Sequence, residues 1–260
     1  MELPERFKRQ LREAGRLWLF LDYDGTLAEF APTPDDVLPD PELIELIKKL
    51  AAHPRIHLAI ISGRRLAHVE KLVPLPGILK AGTYGVELRL PSGETLERIP
   101  YQTIRPSLDS LKPQWAALLD ERKGFYLEDK GWALAIHGRR AEADEADQVL
   151  AEGRRIAEGI IPDENFMLSD GFKFLEVGPR LADKGQTLRF LLDRFADPGA
   201  LLVYLGDDDK DETAFKTIKE HGGLTVLVSA QERQTHADLR LKSPQETRRW
   251  LAELTHWLGE

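Results

Sequence analysis

The sequence predicts an α/β protein: a doubly wound parallel sheet interrupted by a smaller α+β segment. Three observations carry this. Short apolar runs of strand length recur and each stops abruptly in polar residues. Helical patterns of roughly 8–12 residues lie between them. The middle of the chain switches to paired β-rich runs joined by glycine-containing turns.

The first run, Leu17-Trp18-Leu19-Phe20-Leu21, is apolar at five consecutive positions and ends in Asp22-Tyr23-Asp24-Gly25-Thr26. Unbroken apolarity marks a strand buried on both faces, as in a parallel sheet. A helix is expected over 41–52. A second strand, 56–61, runs into Ser62-Gly63-Arg64, and a helix follows over 65–72. Residues 86–90 and 94–99 flank Pro91-Ser92-Gly93 and read as a hairpin.

From 106 to 176 the order becomes helix, strand, strand, helix, strand, strand. Strands at 125–128 and 132–137 flank Asp129-Lys130-Gly131; those at 166–169 and 173–177 flank Asp170-Gly171. The acidic stretch 142–155 keeps apolar spacing and is a solvated helix. Residues 100–106 and 178–179 are candidate hinges. The α/β pattern then resumes: a helix over 184–195, a strand over 201–205 ending in Gly206-Asp207-Asp208-Asp209-Lys210-Asp211-Glu212, a helix over 212–220, and a strand over 224–228 ending in Ser229. The expected organisation is a discontinuous core, 1–105 and 177–260, with an inserted α+β domain at 106–176.

Composition narrows the function classes. The 260 residues are 31% charged and 42% hydrophobic, an ordinary globular balance, with a net charge of −8 and no basic stripe, so nucleic acid is not an expected partner. There is no cysteine, which excludes disulfides, thiolate chemistry and Cys-ligated metals. The N-terminus is charged and lacks an apolar h-region, and the apolar runs fall far short of the ~20 residues that span a bilayer. The expectation is a cytoplasmic protein with no membrane partner, monomeric by default.

In an open α/β sheet, ligands bind at the carboxyl ends of strands. Such ends would bring together Asp22 and Asp24, Ser62, and Asp207, Asp208 and Asp211, with Lys184 opening the helix before the third of these strands. Two carboxylates ~4 Å apart repel by about 4 kcal/mol at an effective dielectric of 20, so a cation is needed. Oxygen donors without His or Cys favour a hard ion, Mg²⁺ before Zn²⁺, and Mg²⁺ keeps positions for water and substrate phosphate. Ser62, Lys184 and the backbone N–H groups around Gly25 and Gly63 suit an anion. An ionised aspartate can attack phosphorus while a second carboxyl serves as general acid and base. Each motif alone has a plainer reading: a turn, a solvated acid pair, a surface lysine. A calcium loop at 207–218 fails, since Glu212 stands where glycine is required and Ile218 where the bidentate Glu belongs.

These residues together resemble the four motifs of the haloacid dehalogenase superfamily of phosphatases: Asp22-Tyr23-Asp24-Gly25-Thr26, then Ser62, then Lys184, then Gly206-Asp207-Asp208 through Asp211. The resemblance implies a core of that type, with Asp22 as nucleophile and Asp24 as general acid/base. Ser62 and Lys184 would bind phosphate. Mg²⁺ would take a carboxylate oxygen of Asp22, the backbone carbonyl of Asp24 and Asp207, with Asp208 and Asp211 close by. It also implies an α+β cap between the second and third motifs.

Within the superfamily the chain is most similar to trehalose-6-phosphate phosphatases. The likeness rests on Leu21–Leu27, Ile61-Ser62-Gly63-Arg64, Leu127-Glu128-Asp129-Lys130-Gly131, His137-Gly138-Arg139, Glu176-Val177-Gly178-Pro179, Asp183-Lys184-Gly185 and Gly206–Glu212. It implies hydrolysis of trehalose 6-phosphate, with Gly63, Arg64, Glu128, Lys130, His137, Arg139 and Glu176 on the substrate. Charged groups suit a hydroxyl-rich disaccharide. The chain departs from the family pattern at Tyr84, where a histidine is common, and at Lys210, where threonine is usual. Another sugar phosphate (sucrose phosphate, a mannosyl- or glucosyl-phosphoglycerate, a hexose phosphate) and a silent sugar-phosphate sensor are the alternative readings.

Overall fold

The computed structural model describes residues 4–31, 36–161 and 164–258. Packing divides the chain into two units, Met1–Leu96 with Asp183–Glu260, and Glu97–Ala182. In chain order the elements are α1 (Glu5–Glu13), β1 (Leu17–Leu21), α2 (Pro41–Ala52), β2 (Ile56–Ile61), α3 (Leu66–Leu72), β3 (Leu79–Gly82), β4 (Glu87–Arg89) and β5 (Thr95–Glu97). Then follow α4 (Tyr101–Leu119), β6 (Tyr126–Asp129), β7 (Leu134–His137), α5 (Ala143–Glu158), β8 (Phe166–Gly171) and β9 (Phe174–Pro179). The chain returns to the first unit with α6 (Lys184–Phe195), β10 (Leu201–Gly206), α7 (Glu212–Glu220), β11 (Leu224–Val228), β12 (Leu239–Leu241) and α8 (Pro244–Trp257).

The first unit is built on an eight-stranded sheet of order β12-β11-β10-β1-β2-β3-β4-β5, parallel from β12 to β3. Because side chains alternate along a strand, Leu17, Leu19 and Leu21 enter one layer with Leu43, Ile47, Val69, Trp250 and Leu251 from α2, α3 and α8. Trp18 and Phe20 enter the opposite layer with Leu188, Leu191, Phe215 and Ile218 from α6 and α7. Helices on both faces explain why β1 is apolar throughout. The sheet is the doubly wound one expected.

The sequence reading passes over β3, a parallel strand containing Lys80 and Gly82. Its polarity is absorbed locally: the buried Lys80 ammonium donates to the Leu75 carbonyl at 2.7 Å. It also omits α1, β12 and α8.

The second unit is a four-stranded antiparallel sheet, β6-β7-β9-β8. Leu127, Ile136 and Leu175 stand in register on the face toward the helices; a Cβ on Gly153 of α5 would come within 2.9 Å of Ile136. Trp115 of α4 donates its indole N–H to the Gly153 carbonyl at 2.9 Å. Trp115 and Trp132 are both buried, in keeping with a packing role. The segment read from sequence as a hinge, 100–106, is largely the opening of α4, which runs through Pro106 and Pro113. Ile104, Leu108, Leu111 and Trp115 are buried at helical spacing, and that burial outweighs the two missing N–H groups. Among the described residues no helix is long and apolar enough to cross a membrane.

Candidate active site

The strand order reverses between β1 and β10, and ligands bind where an open α/β sheet reverses. Leu21 pairs with Leu205, and the Asp22 N–H continues the ladder to the Leu205 carbonyl at 2.9 Å. Asp22 is thereby fixed at the last rung of β1, with Gly206 and Asp207 leaving β10 beside it. Gly25, at φ +75°, turns the chain back, and a Cβ there would lie 2.2 Å from Asp207 Oδ2. Only a glycine allows that approach.

The Asp22 carboxylate is buried and held at both oxygens. Lys184 Nζ donates to Oδ1 at 2.8 Å and Thr26 Oγ1 to Oδ2 at 3.0 Å. Lys184 is buried at the start of α6, where Asp183 caps the helix by accepting from Gln186 N–H at 2.7 Å and from Thr213 Oγ1 at 3.0 Å. The same ammonium donates to Asp211 Oδ1 at 2.6 Å. Asp211 is fully buried and saturated: Tyr204 O–H also reaches Oδ1 at 2.5 Å, and the N–H groups of Asp207 and Asp208 reach Oδ2 at 3.0 and 3.1 Å.

Asp207 stands apart. Its carboxylate accepts no hydrogen bond from the described residues, yet oxygens of Asp22, Asp207 and Asp211 lie within 4.8 Å of one another. Burial pushes the Asp207 carboxyl up to about 10, with the negative charges of Asp22, Asp208 and Asp211 adding to the rise. Burial likewise lifts Asp22 to about 7, Lys184 opposing and Asp211 and Asp208 reinforcing. Asp208 is raised to about 6 by burial and Asp211. Burial also acts against an ionised Asp211, but Lys184 and Tyr204 outweigh it and hold that carboxyl low. Four carboxylates face one lysine. An all-oxygen set containing one unpartnered carboxylate fits a hard divalent cation, with Asp22 and Asp207 offering the available oxygens.

The other sequence candidates of the first unit follow β1, β2 and β10. Asp208 Oδ1 caps the 209–211 turn, accepting from the Lys210 and Asp211 N–H groups at 2.9 and 3.2 Å. Asp24 is gripped by Arg64, with Nε to Oδ2 and Nη2 to Oδ1 both at 2.7 Å. Ser62 is buried after β2, and its Oγ accepts from the Arg64 N–H at 3.1 Å. Gly63 lies under the Tyr84 ring, where a Cβ would come within 2.7 Å. The two departures from the family pattern touch: Lys210 Nζ donates to Tyr84 Oη at 2.7 Å.

The second unit has its own polar cluster on the sheet face away from its helices. Glu128 and Glu176 flank Ala135 in register. Lys130 Nζ donates to Glu176 Oε2 at 2.5 Å and lies 3.7 Å from Glu128 Oε2, which bonds His137 Nε2 at 2.8 Å. Lys130 and Glu176 are buried. Burial pushes Glu128 up, but His137 and Lys130 bring its carboxyl below the usual value. Arg139 is exposed just beyond β7.

Sequence reasoning missed Tyr204 and Thr26. Tyr204 hides inside an apolar strand; the one signal was a hydroxyl-bearing residue facing the layer that Lys184 enters. Thr26 follows Asp22 by four residues, a spacing a tight turn can close.

A doubly wound sheet with an aspartate at its reversal point, a buried lysine opening a helix and an acidic loop after the neighbouring strand is the core of the haloacid dehalogenase superfamily. Comparison narrows this. The profile of the trehalose-phosphatase family matches residues 20–245. Trehalose-phosphate phosphatase B of Arabidopsis thaliana is 32% identical over 253 residues, covering 92% of this chain and 66% of that protein. Probable trehalose-phosphate phosphatase C of the same plant is 32% identical over 98% of this chain and 84% of that protein. The C-terminal domain of C. albicans trehalose-6-phosphate phosphatase shares the fold, with a TM-score of 0.82 at 20% identity over 96% of each chain. The chain belongs to the trehalose-phosphatase family. It spans about two thirds of the length of the first of these relatives.

Proposed function

We propose that this chain hydrolyses trehalose 6-phosphate to trehalose and inorganic phosphate, using Mg²⁺ and an aspartyl-phosphate intermediate. The observation that carries the reading is Asp22: a buried carboxylate at the sheet's reversal point, oriented by Lys184 and Thr26, with the unpartnered Asp207 carboxylate beside it. Family membership supports the choice of substrate.

Asp22 attacks phosphorus, forming an Asp22–O–P bond as the bond from phosphorus to the sugar oxygen breaks. Asp24 gives its proton to the departing sugar oxygen, then takes one from the water that cleaves the acyl phosphate and regenerates Asp22. To act, Asp24 must leave the fork of Arg64. Lys184, Ser62 and the Gly63 N–H hold the phosphoryl oxygens. Mg²⁺, held by Asp22, Asp207 and the Asp24 carbonyl, would neutralise charge on the phosphoryl group; Asp211 and Asp208 orient the loop that carries Asp207. In the second unit Glu128, Lys130, His137, Arg139 and Glu176 recognise sugar hydroxyls. Because Lys130 and Glu176 are already paired, sugar binding exchanges hydrogen bonds there.

The test is phosphate release from trehalose 6-phosphate, sucrose phosphate, mannosyl- and glucosyl-phosphoglycerate and glucose 6-phosphate, with Mg²⁺ and with chelator. Preference for trehalose 6-phosphate that vanishes in chelator is expected. Preference for another member of the panel overturns the substrate, and full activity in chelator overturns the metal.

A further inference from the structure

Tyr84 is where the backbone is most strained near the candidate site. Thr83 and Tyr84 have φ of 48° and 55°, a left-handed region that β-branched and bulky residues rarely occupy. Such a conformation persists only when the surroundings over-determine it, and here they do. The Thr83 N–H donates to the Arg64 carbonyl at 2.7 Å and the Tyr84 N–H to the Ser62 carbonyl at 2.8 Å. Thr187 Oγ1 of α6 donates to the Tyr84 carbonyl at 2.6 Å. The buried ring covers Gly63 so closely that any side chain there would collide with it.

The phenol is held from a third segment. Lys210 Nζ donates to Tyr84 Oη at 2.7 Å and lies 4.3 Å from the ring centroid, within cation–π range. One residue therefore ties together the segments carrying Ser62, Lys184 and Asp207. It also parks a second ammonium on the ring that covers Gly63, on the Ser62 side of the site.

We infer that Lys210 is an additional binding residue for the phosphoryl group of the substrate, and that Tyr84 is the positioning residue that aims it. A lysine on the surface of a phenol, beside a loop suited to phosphate, adds a charge-assisted donor to that of Lys184, which already spends two of its three N–H groups on Asp22 and Asp211. The contrary role is local: Lys210 merely opposes the rise that burial and Asp211 impose on the Asp208 carboxyl. The inference rests on the phosphatase reading for its substrate but not for its test.

The test compares the full chain with its Lys210→Met, Lys210→Arg and Tyr84→Phe variants in Mg²⁺. Inorganic phosphate is titrated calorimetrically, and KM and kcat are measured separately for trehalose 6-phosphate. Lys210→Met should weaken phosphate binding and raise KM by about tenfold while kcat changes little. Lys210→Arg should recover most of that loss. Tyr84→Phe, which keeps the ring and removes the hydroxyl, should raise KM by a smaller factor, about threefold. Unchanged phosphate affinity in Lys210→Met, or an arginine variant as weak as the methionine one, overturns the inference. If the wild-type chain turns over no sugar phosphate, the substrate assignment fails, while the phosphate titration still decides the role of Lys210.

Discussion

The two units each bury carboxylates around a lysine, and the charges come out differently. In the first unit Asp22, Asp207, Asp208 and Asp211 face Lys184, and three of the four carboxyls are raised. In the second, Glu128 and Glu176 face Lys130 and His137, and Glu128 is lowered. Burial acts in the same direction in both places. What differs is the count of opposing charges, and that separates a site left with excess negative charge from one whose acids are paired with cationic partners. Under the proposed function the first holds the metal ion and the second exchanges its hydrogen bonds with the sugar.

The largest effects should come from the first cluster. Asp22→Asn keeps the shape and removes the proposed nucleophile, so phosphate release should fall by at least ~10³-fold in a coupled assay. A residual rate near wild type would remove Asp22 from the chemistry. The second cluster should register as stability. Lys130→Met removes the ammonium that pairs with the buried Glu176 carboxylate and should cost about 3–5 kcal/mol in urea unfolding. Adding Glu176→Leu should return much of it. If the double variant is no better than the single, the two residues do not act as a pair.

Acid should distinguish the second unit further. Arg105 and Lys112 hold the Asp129 carboxyl below its ordinary 3.8, against the opposing effect of burial, and Glu128 lies below 4.5. A carboxyl lowered by folding contributes stability that is present above its unfolded value and lost as pH falls through the folded one. Hydrogen exchange in 126–137 should therefore accelerate as pH drops below about 4, after correction for intrinsic rates, and Asp129→Asn should flatten that response. The smallest effect belongs to the exposed Arg154–Asp170 pair, where Asp170→Asn should change stability by less than ~1 kcal/mol.

The candidate strand ends were legible because buried parallel strands must be apolar along their length. An acid at the end of such a run is conspicuous, as Asp22 and Asp207 are. The doubly wound sheet and the hairpins of the second unit followed from the same periodicities. Less legible was anything decided by packing: β3 with its locally satisfied Lys80, α4 running through two prolines, and Tyr204 concealed in a strand while its hydroxyl bonds Asp211. Nor could spacing show that Asp24 is held by Arg64 or that Tyr84 meets Lys210, since 40 and 126 residues separate those partners.

The comparison of the clusters stands or falls on the cation. Mg²⁺ should be titrated calorimetrically into the chelator-treated protein and into its Asp207→Asn variant, with thermal unfolding in parallel. The account predicts one Mg²⁺ bound by the wild type, a stability gain of about 2.7 kcal/mol at a hundredfold excess over Kd, and loss of both on substitution. Equal Mg²⁺ binding by wild type and variant, or none by either, would contradict it.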